Sequence, residues 1–307
     1  MAKLKVQRRI EVNSSPEEIF KIIADFHHWE SWSPWLIQEP GVRVDIREDG
    51  KYYEWKGERV GSGNMTILKQ DEYKSIDYDL CFLKPWKSKA KVRFEIEEKP
   101  DGCEIIWYME SSLPWFMFWM KKMTEAFIGM DYERGLLMLK DKLEDGKIHS
   151  SLDFIGKTEM EEFLFIGIKT ATSKAEMPDQ MQADFESLFT QLKNEEENNI
   201  GEGLSIYHKW DMVKERVEYT AAMKVKQYPE NLESNIIKGR IPKTQVYQIK
   251  HIGPYHHLGN AWSSMYSLKR AKAFKSVKGI DPFEIYGNRP KEVKGQELLS
   301  TLNFPCK

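Results

Sequence analysis

A strand-helix-strand-strand pattern occurs twice in the second half of this 307-residue chain, and few folds accommodate such a duplication. The first copy opens on the strand Phe163–Ile168 and passes to a helix from Pro178 with Met181, Phe185, Leu188, Phe189 and Leu192 on one face. A polar loop, Asn194–Asn199, leads to strands Leu204–Tyr207 and Arg216–Val225. The second copy has a strand Gln245–Lys250, a helix carrying Leu258, Ala261, Trp262, Met265 and Leu268, and strands Phe283–Tyr286 and Glu297–Phe304. Tyr207 and Tyr286 hold equivalent places, 79 residues apart. One copy alone leaves its apolar faces uncovered. Two copies related by a local twofold form one domain, 155–307, with a groove between them.

Residues 1–145 read differently. Leu4–Val12 alternates like a half-buried strand, and Asn13-Ser14-Ser15-Pro16-Glu17-Glu18 supplies a cap, an early proline and first-turn acids for a short helix. An aromatic bend, Phe26–Trp35, precedes strands in series to about Met109, with turns at Asp49-Gly50, Gly61-Ser62-Gly63 and Asp101-Gly102. A long helix from about Pro114 to Leu143 closes the domain, its apparent core stripe being Phe116, Met120, Met123, Phe127, Met130 and Leu137. The α+β expectation is an antiparallel sheet curved around that helix, with a cavity between them. Glu144–Ser151 reads as a polar linker.

Composition narrows the function classes. The formal net charge is −2, without the clustered basic face that phosphate neutralisation needs, so no nucleic-acid partner is expected. Lys269, Arg270, Lys272, Lys275 and Lys278 read as the solvated end of a helix. Cys81, Cys103 and Cys306 are scattered thiols that fit a reducing, cytoplasmic setting. The start of the chain carries no apolar signal region, and the run Leu113–Met120 is too short to span a bilayer, stopping at Lys121 and Lys122. No membrane partner is expected. His27 and His28 lack a third ligand at metal spacing, and no phosphate loop, zinc signature, nucleophile elbow or dinucleotide fingerprint occurs; the expectation is no metal, no cofactor and no catalytic residue assigned outright.

The segments Val12–Phe20, Trp29–Trp35 and Gly129–Leu136 make the first domain resemble the START-like (SRPBCC, polyketide cyclase-like) superfamily, which implies a helix-grip fold. His251–Tyr255, Pro282–Tyr286, Leu298–Thr301 and Asn303–Pro305 make 155–307 resemble the GyrI-like effector-binding domain. That resemblance implies a groove for lipophilic, often cationic molecules and an acid at Glu284. The regulators that own this domain also carry a helix-turn-helix. This chain resembles START-like proteins there instead, so any signalling would pass through a regulatory protein partner.

Alternation on Phe283-Glu284-Ile285-Tyr286 puts Glu284 and Tyr286 on one face. A carboxylate among rings is desolvated, which raises its pKa unless a cation compensates. The candidate ligand-binding set is Glu284, Tyr286, Tyr255, Trp262, Trp210, Tyr207 and Tyr219. The leading expectation is a binding protein that senses or sequesters a small lipophilic molecule. Some stand-alone GyrI-like proteins hydrolyse reactive electrophilic natural products, and the rival expectation is such a hydrolase, with Glu284 as general base.

Overall fold

A computed structural model describes residues 2–193, 195, 196 and 199–307, which divide into two compact units, 1–149 and 150–307. Part of the loop expected at Asn194–Asn199 lies outside the described residues.

The first unit runs β1 (Ala2–Val12), α1 (Pro16–Ile23), β2 (Arg43–Ile46), β3 (Tyr52–Lys56), β4 (Ser62–Asp71), β5 (Ser75–Lys84), β6 (Ser88–Lys99), β7 (Gly102–Leu113) and α2 (Lys121–Asp145). The strands form one antiparallel sheet in the order β1-β7-β6-β5-β4-β3-β2. Ser15 caps α1 in a reciprocal box with Glu18, as the motif demands. The Ile23 carbonyl at its far end accepts from Trp29 Nε1 at 3.1 Å and from Tyr78 Oη at 2.8 Å.

The long helix meets the sheet through a different face from the one its Met and Phe spacing predicts. Tyr132, Leu136 and Leu139 are buried, while Phe116, Met123 and Phe127 face solvent and Met120, Met130 and Leu137 are half-buried. The reason is close approach: a Cβ on Gly135 would come 2.8 Å from the Trp107 ring and 3.1 Å from Pro34. Trp107 stacks on Tyr132 at 3.8 Å and on Phe94 at 4.7 Å, and Trp32 meets it edge-on at 5.8 Å. Rings thus line the contact between sheet and helix around Gly135. Gly135→Ala is expected to lower stability by about 1–3 kcal/mol through overpacking. The gain in helix propensity is only about 1 kcal/mol. A chemical melt that shows net stabilisation would refute this account of the face.

The second unit runs β8 (Ser151–Met160), β9 (Phe163–Ser173), α3 (Met177–Gln191), β10 (Ile200–Asp211), β11 (Arg216–Val225), β12 (Ile236–Ile241), β13 (Thr244–Ile252), α4 (Leu258–Arg270), β14 (Phe283–Tyr286) and β15 (Leu299–Cys306). Its sheet has the order β12-β9-β11-β10-β14-β15-β13-β8. The core of that order, β9-β11-β10 against β14-β15-β13, is the duplicated pattern read about a twofold at its centre.

Each copy gains a leading strand that the repeat did not predict, and these two strands cross over. β8 precedes the first copy but pairs with β13 of the second; β12 precedes the second but pairs with β9 of the first. The pairs Ile241↔Phe163 and Thr244↔Met160 continue one register across the kinks at Glu161-Glu162 and Pro242-Lys243. β8–β9 and β12–β13 are therefore two bent arms of a single antiparallel ribbon. A two-residue kink reaches about 10 Å, whereas six strand spacings of a flat sheet span about 29 Å. The sheet must curl until its edges meet.

Candidate functional site

α3 packs over β9 and β11, and α4 over β13 and β15, so the central pair β10–β14 forms a floor between the helices. On that floor Gly203 faces Tyr286, Leu204 faces Ile285, Ser205 faces Glu284 and Ile206 faces Phe283. Ser205 and Glu284 are themselves equivalent at the 79-residue offset, so the local twofold passes between them. Phe283, Ile285, Leu204 and Ile206 turn to the opposite face and pack together there. Strand alternation sends Glu284, Tyr286, Ser205 and Tyr207 up toward the helices.

Glu284 is only 1% exposed. One carboxylate oxygen accepts from the Trp262 indole N–H. The other accepts from Tyr286 Oη at 2.8 Å and Tyr207 Oη at 3.1 Å. Tyr286 Oη also lies 2.9 Å from Ser205 Oγ. With one proton to give, Tyr286 donates to Glu284 and receives the serine's. No Lys, Arg or His pairs with Glu284 among the described residues.

Burial raises the Glu284 carboxyl above its ordinary range, and the bonds from Trp262, Tyr286 and Tyr207 oppose that rise. Tyr207 and Tyr286 are pushed well up, first by burial and then by the Glu284 charge. Tyr255 is pushed up to about 12 for the same two reasons. The phenols stay neutral donors around a single acid.

Two further expected residues extend this cluster. Tyr255 opens the short turn that leads into α4 and packs on Tyr286 at 5.4 Å. Trp210 packs on Tyr207 at 6.1 Å, and Tyr207 meets Trp262 edge-on at 4.9 Å. Tyr219 stands opposite Tyr207 on β11 but is fully buried beneath α3, its hydroxyl donating to Asp184 at 2.8 Å. From α3, Met181 Sδ lies 3.5 Å from Ser205 Oγ and Phe185 meets Tyr286 edge-on at 5.9 Å. In sequence both are residues of one helix face; the register across β10–β14 is the signal that brings them to the site.

Each half buries its own polar network beneath its helix. Asp184 accepts from Thr170 Oγ1 at 2.8 Å, from Tyr219 and from Gln180 Nε2 at 3.0 Å. In the other half, His251 is fully buried with Nε2 3.1 Å from Ser150 Oγ, and Asn260 Nδ2 donates to that same oxygen at 2.9 Å.

Residues 3–144 match the family described as polyketide cyclase / dehydrase and lipid transport, and residues 155–307 match the GyrI-like small molecule binding domain. Among solved structures, the C-terminal domain of EcmrR is 16% identical over 52% of this chain and 98% of its own, with a TM-score of 0.42. Protein MLL2253 from Mesorhizobium loti is 14% identical over 45% of this chain and 94% of its own, with a TM-score of 0.36. The Aha1 dimer from Colwellia psychrerythraea is 18% identical over 47% and 98%, with a TM-score of 0.35. No curated protein matches the chain. No helix among the described residues is long and apolar enough to cross a membrane.

Proposed function

Because the chain joins a polyketide cyclase-like, START-like domain to a GyrI-like small-molecule binding domain, we propose that the second unit senses or sequesters a lipophilic cation, with Glu284 as its counter-charge. The supporting observation is a buried carboxylate held by three aromatic donors and, among the described residues, by no basic side chain. Hydrogen bonds offset part of the cost of burying that charge, and a cation offsets more. Contact with the surrounding rings adds about 0.5–2 kcal/mol and tolerates varied shapes. The bound state would be read by a regulatory protein partner.

Glu284→Gln is expected to weaken binding of a tetraarylphosphonium by about tenfold, the equivalent of 1.4 kcal/mol. Binding of a neutral triarylphosphine oxide should hardly change. Equal losses for both probes in calorimetry would reject the charge-pairing reading. A pH profile tests the same point from another side. The carboxyl is raised, so it protonates before ordinary carboxylates as pH falls, and the cation loses its counter-charge. Cation affinity should therefore weaken as the solution is acidified from neutrality, and a flat profile would count against Glu284.

A hydrolytic reading rests on one contact: Tyr286 Oη, 2.8 Å from the raised carboxyl, makes an acid–base pair at the floor. Mass spectrometry of electrophilic ligands incubated with the protein tests it. Turnover lost in Glu284→Gln would favour the enzyme over the pure binder.

A further inference from the structure

At one rim of the first unit's sheet, two neighbouring segments hold large apolar side chains in water. The turn between β7 and α2 presents Trp115 at 76% exposure, Phe116, Phe118 and Trp119 at 68%. The tip of the β5–β6 hairpin presents Leu83 and Trp86, the latter 67% exposed. Register brings the two together. Ala90 of β6 lies opposite Ser111 of β7, and Ser111 Oγ donates to the Lys89 carbonyl at 2.7 Å. Leu113 pairs with Ala2, so the start of β1 joins the same rim.

Lysines punctuate these rings. Lys84, Lys87 and Lys89 surround Trp86, Lys121 and Lys122 follow Trp119, and Lys3 stands at the start of β1. The rim's acids are already engaged: Glu110 pairs with Lys5 at 2.8 Å and Glu125 with Lys121 at 2.5 Å. Lys84, Lys87 and Lys122 have no ion-pair partner among the described residues.

We infer that this rim docks on an anionic bilayer surface, the rings entering the headgroup layer and the lysines meeting lipid phosphates. An exposed apolar patch on a folded unit marks a contact surface. The mixture here discriminates among contacts. Protein interfaces are depleted in Lys at their centre, whereas Trp and Phe interleaved with Lys suit the boundary between hydrocarbon and an anionic surface. The run Leu113–Met120, too short to cross a membrane, is long enough to lie in that boundary. The docking surface does not depend on the Glu284 groove.

The test is co-sedimentation of the full chain with phosphatidylcholine vesicles, with and without phosphatidylglycerol, read alongside tryptophan emission. Binding with a blue shift is expected for the anionic vesicles, with partitioning on the order of tenfold lower on phosphatidylcholine alone. The triple variant Lys84→Glu, Lys87→Glu, Lys122→Glu should show a similar drop. The variant Trp115→Ser, Phe118→Ser, Trp119→Ser should lose binding while keeping its far-ultraviolet spectrum, because those rings lie outside the core. Failure to bind anionic vesicles overturns the inference, as does binding that survives the serine variant. A lipid-free dimer abolished by that variant also overturns it, assigning the rim to a second copy of the chain.

Discussion

Asp184→Ala is expected to destabilise the second unit by about 3 kcal/mol. The carboxylate is buried and ties α3 to two strands at once, through Thr170 on β9 and Tyr219 on β11. Thr170 and Gln180 keep enough exposure to turn to water once the acceptor is gone. Tyr219 does not, being fully buried, and its stranded hydroxyl carries a desolvation cost of about 1–3 kcal/mol beyond the lost charge-assisted bond. Asp184→Asn keeps a carbonyl acceptor and should lose roughly half as much. Urea melts of the three proteins give the comparison. A wild-type midpoint in Asp184→Ala would mean that α3 is held by its apolar face alone. Because α3 also brings Met181 and Phe185 to the groove, the alanine variant should blunt ligand binding without touching Glu284.

The second large effect is acid sensitivity through His251. Ser150 Oγ accepts from Asn260 Nδ2 and lies 3.1 Å from His251 Nε2. The other ring nitrogen, Nδ1, is buried without a partner. An imidazolium carries a proton on both nitrogens, and Nδ1 has no acceptor for its own. Burial, followed by repulsion from His257 and His256, lowers the pKa from 6.5 to about 4. The unfolded chain takes up the proton near 6.5 and the folded one does not until about 4. Stability from this group is therefore complete above 6.5 and is lost as pH falls toward 4, by about 3 kcal/mol at most. Melting temperatures measured across that window should fall less steeply in His251→Leu than in wild type. Parallel curves would remove His251 from the account.

The repeat was legible because its signals are local. Tyr207 and Tyr286, the helix stripes and the alternation around Glu284 need no knowledge of distant partners, and the two copies they define meet at β10–β14. β8 and β12 escape a local reading because each is defined by a partner in the other copy: Ser151–Met160 alternates between exposed and only half-buried residues, and its pairing lies with Thr244–Ile252. The buried face of α2 escaped for a different reason. Periodicity weighs large apolar residues, whereas that helix approaches through Gly135, and its Phe and Met residues are the ones left outside. Tyr219 and Tyr207 look alike in sequence and face each other across β10–β11. Only the position of α3 decides that one is core and the other reaches Glu284.

The continuous ribbon through Glu161-Glu162 and Pro242-Lys243 also limits how the groove can admit a guest. Halves joined by one linker can swing apart like jaws on a hinge. These halves are laced together along both edges as well as through the β10–β14 seam, so opening them would tear a register shared by four strands. The floor is consequently a fixed bench. Entry falls to what stands on it: the turn at Tyr255, the Trp262 ring and the two helices. Labels on α3 and α4 should report motion when ligand binds, while labels on β10 and β14 stay still.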